Sequence, residues 1–505
     1  MPPLPRKIPA TMATQHPDNA CAAFFCNKKF INTMDEIEEC YISYKDLKCG
    51  EYMWDWEGKF VDEAVIEKLF QQYTDFFKKQ SLGRDIFLTF RIPNIWEESS
   101  FRLARAYMSI LTASDFAKDL GFHTPPIFEV ILPMTTNAKQ LIHVQETFQK
   151  VAQLKKQVFE TKQKSFDMIN VIPLFESVDN LSNTPTILEE YFRSYKKEFG
   201  GKPEYLRPFI ARSDPALNAG IVPAVLASKV AISDFFEIGE KYGVKMYPII
   251  GTGSLPFRGG VNPENIAETI DEYSGIRTMT IQPAFRYDYP IDKVKKALKL
   301  IDKSLPTFKP RILNKEEKET INKINKIFGK FYKTDIEAEA EFINTLAGKI
   351  PSRRERMLHI GLFGYSRGMG KVSLPRAIKF TAAWYSIGVP PEFIGTGRGL
   401  KKIKEMGLSG FVKDLYMNLE SDLVHAGKYL NKENLESLAK SKPVFKNILE
   451  DVRLTEEFLG KELGPYKTHH YIHRNLVSSV YLHMKVKEDF SDELEKAAMI
   501  RKSLG

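Results

Sequence analysis

Two acidic residues and an arginine follow three successive apolar, strand-like segments of the chain. Glu176 ends the segment MINVIPLFE, Asp214 comes shortly after YLRPFIA, and Arg258 lies in the glycine-rich stretch that follows the next apolar run. Neighbours in this series are roughly 40 residues apart, which is the length that a strand, a helix and two loops need. The carboxyl ends of parallel barrel strands meet on one face. We therefore expect these side chains to form a site for a divalent cation beside an anionic substrate.

The two carboxylates have an alternative interpretation as helix caps. Asp214 precedes Pro215 and an alanine-rich helical segment, and capping alone would account for it. We favour a metal site for Glu176 and Asp214 because they follow successive predicted strands. Hard cations such as Mg²⁺, and also Mn²⁺, need few protein carboxylates and take their other oxygens from water and substrate.

The stretch GTGSLPFRGG, residues 251–260, predicts a phosphate-binding loop. Backbone N–H groups of Gly259 and Gly260 could approach phosphate oxygens, and Arg258 would add a charge-assisted donor. Glycine-rich loops after strands are common, so this motif alone is weak evidence. It becomes informative because it follows Glu176 and Asp214 in strand order.

Further polar residues could reach the same face. His16, in MATQHPDN, is a candidate general base, although a lone histidine is more often structural. Candidate substrate-binding arginines follow predicted strands or open predicted helices, and each could instead be an ordinary surface or capping residue. They are Arg91, Arg212, Arg367 and Arg376.

Apolar segments alternate with helical patterns along most of the chain, which predicts an α/β fold of the (β/α)8 barrel type with additional helices, mainly C-terminal. We expect a single domain over residues 1–505, with the barrel at about 80–400 and the helical addition at about 401–505, because no Gly/Ser linker divides the chain. Helices are expected at 61–80 and 216–242. The predicted strands are 85–90, 127–134, 168–175, 205–211, 244–250, 278–285, 359–365 and, as a short eighth, 392–397.

Composition narrows the function classes. A net charge of +9 could attract nucleic acid, but the lysines are scattered through helical stretches rather than interleaved with aromatics on one stripe. We find no apolar run long enough to span a membrane and no signal-peptide core, so we expect a cytoplasmic protein. The four cysteines fall within the first 50 residues. Their spacing does not match a paired zinc motif, which favours reduced thiols.

An ordered set of motifs resembles the archaeal-type phosphoenolpyruvate carboxylases along nearly the whole chain. The motifs are TQHPDN, CGEYMWDWEGK, GRDIFLTFRIPN, PPIFEVILPMTT, IPLFES, RPFIARSDPALNAG, GSLPFRGG and YSIGVPPEFIGTGRGL. The resemblance implies phosphoenolpyruvate and bicarbonate as substrates and a homotetramer. It also implies that Glu176 and Asp214 hold Mg²⁺ or Mn²⁺. His16 would assist carboxyl transfer, Arg258 would stabilise phosphate charge, and Arg91 and Arg376 would line the site.

The resemblance is incomplete in two places. The larger enzymes of the family open the loop with histidine-glycine-arginine where this chain has Thr252, Gly253 and Ser254, and they carry an arginine where this chain has Gly388. Arg398 or Arg367 are the candidates to supply that second charge. Another Mg²⁺-dependent barrel that forms a pyruvate enolate, such as a carbon–carbon lyase, is the alternative enzyme class, and a nucleic-acid-binding protein is the alternative outside enzymes.

Overall fold

A closed barrel of parallel strands forms the centre of the computed structural model, which describes residues 6–159, 166–307, 309–355 and 372–505. The strands are β1 (Thr11–Ala13), β2 (Glu51–Asp55), β3 (Phe87–Arg91), β4 (Glu129–Leu132), β5 (Asn170–Phe175), β6 (Tyr205–Leu206), β7 (Phe209–Ala211), β8 (Lys245–Met246), β9 (Ile249–Gly251) and β10 (Thr278–Ile281). Around the barrel their order is β1-β10-β9-β7-β5-β4-β3-β2, and β6 and β8 pair separately.

Helices surround the barrel and connect its strands. They are α1 (Thr33–Lys45), α2 (Val65–Lys79), α3 (Ser100–Asp119), α4 (Ala138–Val158), α5 (Val178–Ser182), α6 (Thr184–Phe199), α7 (Ser213–Ala219), α8 (Ile221–Tyr242), α9 (Ile266–Glu272), α10 (Pro283–Tyr287) and α11 (Ile291–Ser304). Short 3₁₀ turns cover Pro256–Arg258, Leu305–Thr307 and Pro391–Phe393. Among the helices of the described ranges, none combines the length and the apolar character that a membrane span requires.

A second layer of helices follows the barrel. The long helix α12 (Lys315–Ala347) packs along α7 and α8 and shares a separate apolar core with later helices. At the end of the chain, Leu504 returns to the barrel, where its N–H donates to the carbonyl oxygen of Asp18 at 2.7 Å. These helices are α12 (Lys315–Ala347), α13 (Ala377–Ser386), α14 (Thr396–Glu405), α15 (Ser409–Leu415), α16 (Leu419–Gly427), α17 (Lys432–Ser441), α18 (Val444–Leu459), α19 (Thr468–Val486) and α20 (Ser491–Arg501).

Successive side chains of each strand point alternately into the barrel and toward the surrounding helices. In β2, Met53 points into the barrel, whereas Tyr52 and Trp54 pack against the surrounding helices. At the N-terminal ends of the strands, the buried Arg207 pairs with Glu51 at 2.6 Å and Glu129 at 2.8 Å. This charge network fills the barrel at the N-terminal ends of its strands. A ligand is therefore expected at the carboxyl ends of the strands.

The predicted (β/α)8 class is confirmed, but part of the predicted strand set is wrong. Residues 392–397, predicted as the eighth strand, form the end of a 3₁₀ turn and the start of α14, because Gly395 adopts a left-handed φ of 70° between them. The predicted strand at 359–365 lies outside the described residues. Within the described ranges the barrel strands lie between residues 11 and 281, rather than about 80–400 as the sequence predicted.

The first two barrel strands, β1 and β2, were not predicted from the sequence, for physical reasons. The first strand, β1, has three residues, too few to show a periodic pattern. The second, β2, begins with Glu51 and ends with Asp55, so its apolar run looks interrupted. Both acids are buried because arginines pair with them inside the barrel, Arg207 at one end and Arg91 at the other.

Candidate active site

A cavity of about 740 Å³ opens at the carboxyl ends of the barrel strands. Its wall combines residues at or after the strand ends, as expected for the functional face of this fold, with residues at the ends of helices of the outer layer. Six of the residues predicted from the sequence line it together: His16, Arg91, Glu176, Asp214, Arg258 and Arg376. The fold therefore gathers side chains that lie far apart in the sequence.

Glu176 is held at the end of β5 by the backbone of the preceding strand's loop. Its side chain is 4% exposed, and its Oε2 accepts a hydrogen bond from the N–H of Met134. Met134 has a φ of 51°, a left-handed conformation that costs a non-glycine residue roughly 1–3 kcal/mol. The surrounding structure maintains this conformation and thereby directs an N–H group at the carboxylate.

Neither carboxylate is the N-cap of the helix that follows it. Ser177 caps α5 by accepting from the N–H of Asn180 at 3.1 Å, and the N-cap residue of α7 is Arg212. Asp214 is the second residue of α7 and lines the cavity. The capping interpretation therefore explains neither residue.

The donor set fits a hard divalent cation. Glu176 and Asp214 follow β5 and β7, which are hydrogen-bonded neighbours in the barrel. No group of three or more His, Cys, Asp or Glu side chains suited to a metal ion occurs within the described residues. Two carboxylates on one wall suit Mg²⁺ or Mn²⁺, which take further oxygens from water and substrate, and do not suit structural zinc, which needs four protein ligands.

Arg91 and Arg376 are positioned by acidic residues that sequence reasoning missed. Arg91 donates from Nε and Nη2 to Asp55 at 2.9 and 2.5 Å, and its Nη1 lies 3.0 Å from Glu57. Glu57 also pairs with Arg376. Burial by itself would lower the pKa of Arg91, but the charges of Asp55 and Glu57 raise it above its ordinary value. The available signal was the alternation of acids with tryptophans in WDWEG.

Arg258 is 1% exposed, and its guanidinium is fixed on several sides. Nη1 donates to the Gly505 carbonyl at 2.6 Å and lies 3.2 Å from Asp18, while Nη2 donates to Gln282 at 2.6 Å. Burial lowers the pKa of Arg258, and the nearby Asp18 charge opposes that effect. Sequence reasoning identified Arg258 but neither Asp18 nor Gln282.

His16 is oriented by a neighbour on the same loop. Its ring Nδ1 lies 2.9 Å from Thr14 Oγ1, and the carbonyl of Thr14 accepts from Arg286 Nη2 at 2.5 Å. Arg286 is itself buried and paired with Glu39 at 3.1 Å. The loop that carries the imidazole is thus hydrogen-bonded to a buried charge network, and His16 lines the cavity.

Other residues predicted for the site do not line the cavity. Arg212 is buried with its Nε donating to the Tyr273 hydroxyl at 2.7 Å. Gly259 and Gly260 shape the turn beside Arg258, with φ values of 110° and 70°, but are not part of the cavity wall. Arg367 lies outside the described residues.

Arg398 does not supply the charge that the larger enzymes carry at the position of Gly388. It pairs with Asp335 and Asp451 in the outer helical layer and is not part of the cavity wall. A side chain at Gly388 would meet Asn431 Cβ at 2.5 Å, because this turn packs closely against α17. The sequence-based suggestion for Arg398 is therefore wrong.

Comparisons with known proteins give a consistent family. A family model described as phosphoenolpyruvate carboxylase matches residues 8–505. The phosphoenolpyruvate carboxylase of Metallosphaera sedula is 40% identical, covering 99% of this chain and 100% of its own. That of Caldivirga maquilingensis is 42% identical, covering 91% and 92%. That of Leuconostoc mesenteroides is 39% identical, covering 94% of each chain.

Proposed function

Because this chain belongs to the phosphoenolpyruvate carboxylase family, we propose that it carboxylates phosphoenolpyruvate with bicarbonate to give oxaloacetate and phosphate. The observation that carries the proposal is one cavity in which Glu176 and Asp214 stand beside Arg91, Arg258 and His16. Carboxylates on neighbouring strands suit a cation, and the arginines suit a substrate with several negative charges.

Charge neutralisation is the first requirement of this reaction, since both substrates are anions that repel each other. Arg91 and Arg376 enter the cavity wall as cations held by buried carboxylates, so their positions are fixed before substrate arrives. A Mg²⁺ or Mn²⁺ ion held by Glu176 and Asp214 would act as a Lewis acid toward phosphate and enolate oxygens.

The chemistry proceeds in two stages. A bicarbonate oxygen attacks phosphorus and the bond from phosphorus to the enol oxygen breaks, which gives carboxyphosphate and the enolate of pyruvate. Arg258 stabilises the phosphate charge. His16 then takes the proton of carboxyphosphate, the carbon–oxygen bond to phosphate breaks, and the enolate carbon bonds to the released CO₂. Thr14 Oγ1 lies 2.9 Å from Nδ1 of His16 and orients the imidazole for this step.

Water must be kept from the enolate, because protonation of its carbon would give pyruvate instead of oxaloacetate. The loop that carries Arg258 contributes to this exclusion, because Arg258 is 1% exposed and is held at the cavity wall by Gly505 and Gln282. We further propose an anaplerotic role, supplying oxaloacetate to the tricarboxylic acid cycle, in a cytoplasmic homotetramer.

An assay of products tests the proposal. Purified enzyme with Mg²⁺ should form oxaloacetate and phosphate only when both phosphoenolpyruvate and bicarbonate are present. With ¹⁸O-labelled bicarbonate, one labelled oxygen should appear in phosphate, because the bond formed to phosphorus is retained. Oxaloacetate formation independent of bicarbonate, or cleavage of a carbon–carbon bond in a keto-acid substrate, would instead support the alternative lyase.

A further inference from the structure

Glu39 is a completely buried carboxylate on α1 that neither the motifs nor the catalytic scheme uses. Its Oε1 accepts hydrogen bonds from Arg354 Nη2 at 2.6 Å and from Arg286 Nη2 at 3.1 Å. The hydroxyl of Tyr287 donates to the same oxygen at 2.6 Å, and that of Tyr52 donates to Oε2 at 2.9 Å. These donors belong to β2, to α10 and to the segment after α12. One carboxylate therefore joins α1 to three other parts of the molecule.

Two guanidinium groups keep Glu39 ionised. Burial alone would raise the pKa of Glu39, but the charges of Arg354 and Arg286 lower it to about 2. Both arginines are themselves buried, and a buried cation is stable only beside a compensating charge. If the carboxylate moved or lost its charge, the two guanidinium groups would lose a shared partner. The position of Glu39 therefore fixes the positions of both arginines.

Arg286 connects Glu39 to the loop that carries His16. The Nη2 atom that lies 3.1 Å from Glu39 also donates to the carbonyl of Thr14 at 2.5 Å. Nη1 of the same guanidinium donates to Ser43 Oγ on α1 at 2.9 Å. Thr14 in turn places its Oγ1 2.9 Å from Nδ1 of His16. A single guanidinium nitrogen thus bridges the buried carboxylate and the backbone beside the imidazole.

Arg354 connects the same carboxylate to another part of the cavity wall. Arg354 is one of the residues that line the cavity, and it belongs to the segment between α12 and α13. The N–H of Glu355 donates to the carbonyl of Ile31 at 3.0 Å, which attaches this segment to the residues before α1. His16, by contrast, follows β1 of the barrel. Glu39 therefore holds a barrel loop and a segment of the outer layer in one arrangement.

We propose that Glu39 is a positioning residue that holds the imidazole of His16 in place through Arg286 and Thr14. The inference rests on the proposed function, in which His16 takes the proton of carboxyphosphate. A displaced imidazole slows that step but not the earlier attack on phosphorus. Carboxyphosphate is then hydrolysed to bicarbonate and phosphate, and the enolate carbon takes a proton from water to give pyruvate. The ratio of oxaloacetate to phosphate therefore reports the position of His16.

Glu39→Gln and a matched variant on the same helix test the proposal. Glu39→Gln keeps the size of the side chain and removes its charge, and should lower the ratio of oxaloacetate to phosphate by about threefold or more, with a matching rise in pyruvate. Glu36 is also buried on α1, but among the described residues it pairs with Lys59 at 2.6 Å and Arg354 at 3.5 Å and not with Arg286. Glu36→Gln should lower the Tm as Glu39→Gln does, but keep the wild-type product ratio.

Two further variants separate positioning from general stability. Glu39→Gln added to His16→Asn should leave the product ratio at the value of His16→Asn alone, because the group through which Glu39 acts is gone. A further fall in that ratio would show that Glu39 acts by another route. Ser43→Ala removes the acceptor of Arg286 Nη1 and leaves every charge in place. It should lower the ratio by a smaller factor, and it decides the question if Glu39→Gln does not fold.

Chemical modification of His16 gives a readout that does not depend on turnover. The rate at which diethyl pyrocarbonate modifies His16, followed by mass spectrometry of its peptide, should rise in Glu39→Gln and stay at the wild-type value in Glu36→Gln. A wild-type product ratio in folded Glu39→Gln, or equal product ratios or modification rates in the two variants, would overturn the proposal. Absence of oxaloacetate formation by wild type would instead contradict the proposed function, and the modification rates would still decide the role of Glu39.

Discussion

Arg258 Nη1 donates a 2.6 Å hydrogen bond to the carbonyl oxygen of Gly505, joining the glycine-rich loop after β9 to the residues that follow α20. Leu504 lines the cavity in the same region, and Ser503 is buried with its hydroxyl 3.3 Å from the carbonyl of Asp18. The cavity is thus built from barrel loops and from the segment that follows α20. Integrity of the helical layer is therefore coupled to the position of Arg258.

Gly505→Ala should disturb this connection. A Cβ at Gly505 would lie 2.1 Å from the Ile378 carbonyl and 2.6 Å from the Ala382 nitrogen, so backbone must shift. We expect a loss of roughly 1–3 kcal/mol in unfolding free energy and a lower kcat, because the backbone shift displaces the carbonyl that accepts from Arg258. Urea unfolding and initial rates measure both effects.

Gly410→Ala is the matched control for that variant. Gly410 lies within α15, and a Cβ there meets nothing within 4 Å. Replacing an exposed helical glycine by alanine should stabilise the protein by roughly 0.5–1 kcal/mol and leave the rate unchanged. If Gly505→Ala were as stable and as active as Gly410→Ala, the packing around Gly505 would not matter for the site.

Glu176→Gln and Asp214→Asn should each abolish metal-dependent turnover while the protein remains folded. Each substitution keeps the shape of the side chain but removes the charge that attracts a hard cation. Activity is measured against Mg²⁺ and Mn²⁺ concentration, with circular dichroism as the check on folding. Asp179→Asn, at an exposed position in α5 just after Glu176, should behave as wild type. Near-normal activity of either site variant at limiting metal would show that the cation binds elsewhere.

His16→Asn should impair oxaloacetate formation more than phosphate release, because attack on phosphorus precedes the step that needs a base. Both products are measured in one reaction, with pyruvate as the third readout. Thr14→Val removes the partner of Nδ1 and should cause a smaller loss with the same product ratio as His16→Asn. A proportional fall in phosphate and oxaloacetate would place His16 in substrate binding or in the first step.

Long apolar strands and the charged residues directly after them could be predicted from the sequence, because both signals are local. Glu176 and Asp214 were found this way, and the structure places both in one cavity. The site residues Asp55 and Glu57 could not be predicted from the sequence. A buried carboxylate is stable there only because it pairs with an arginine that is distant in sequence. Asp18 was likewise missed, because its function depends on contact with Arg258, 240 positions away.

Glu392 is a buried carboxyl whose pKa is raised by the folded structure. Its side chain is fully buried beside the loop of Arg258, where Oε1 accepts from the N–H of Phe257 at 2.9 Å and from the hydroxyl of Tyr385 at 2.7 Å. Burial raises the pKa of Glu392 to about 7, although these hydrogen bonds oppose the shift. The folded protein therefore holds this proton more tightly than the unfolded chain does.

The sign of the resulting pH dependence follows from that difference. Between the unfolded pKa, about 4.5 for glutamate, and the folded pKa near 7, the native state binds more protons, so its stability falls as pH rises and then levels off. Glu392→Gln cannot titrate and should gain stability relative to wild type from pH 5 to pH 8, by up to about 3 kcal/mol. Urea unfolding at both pH values measures the change, and the exposed Glu433→Gln should follow wild type throughout. A constant stability difference between Glu392→Gln and wild type across this range would show that Glu392 stays ionised in the folded protein.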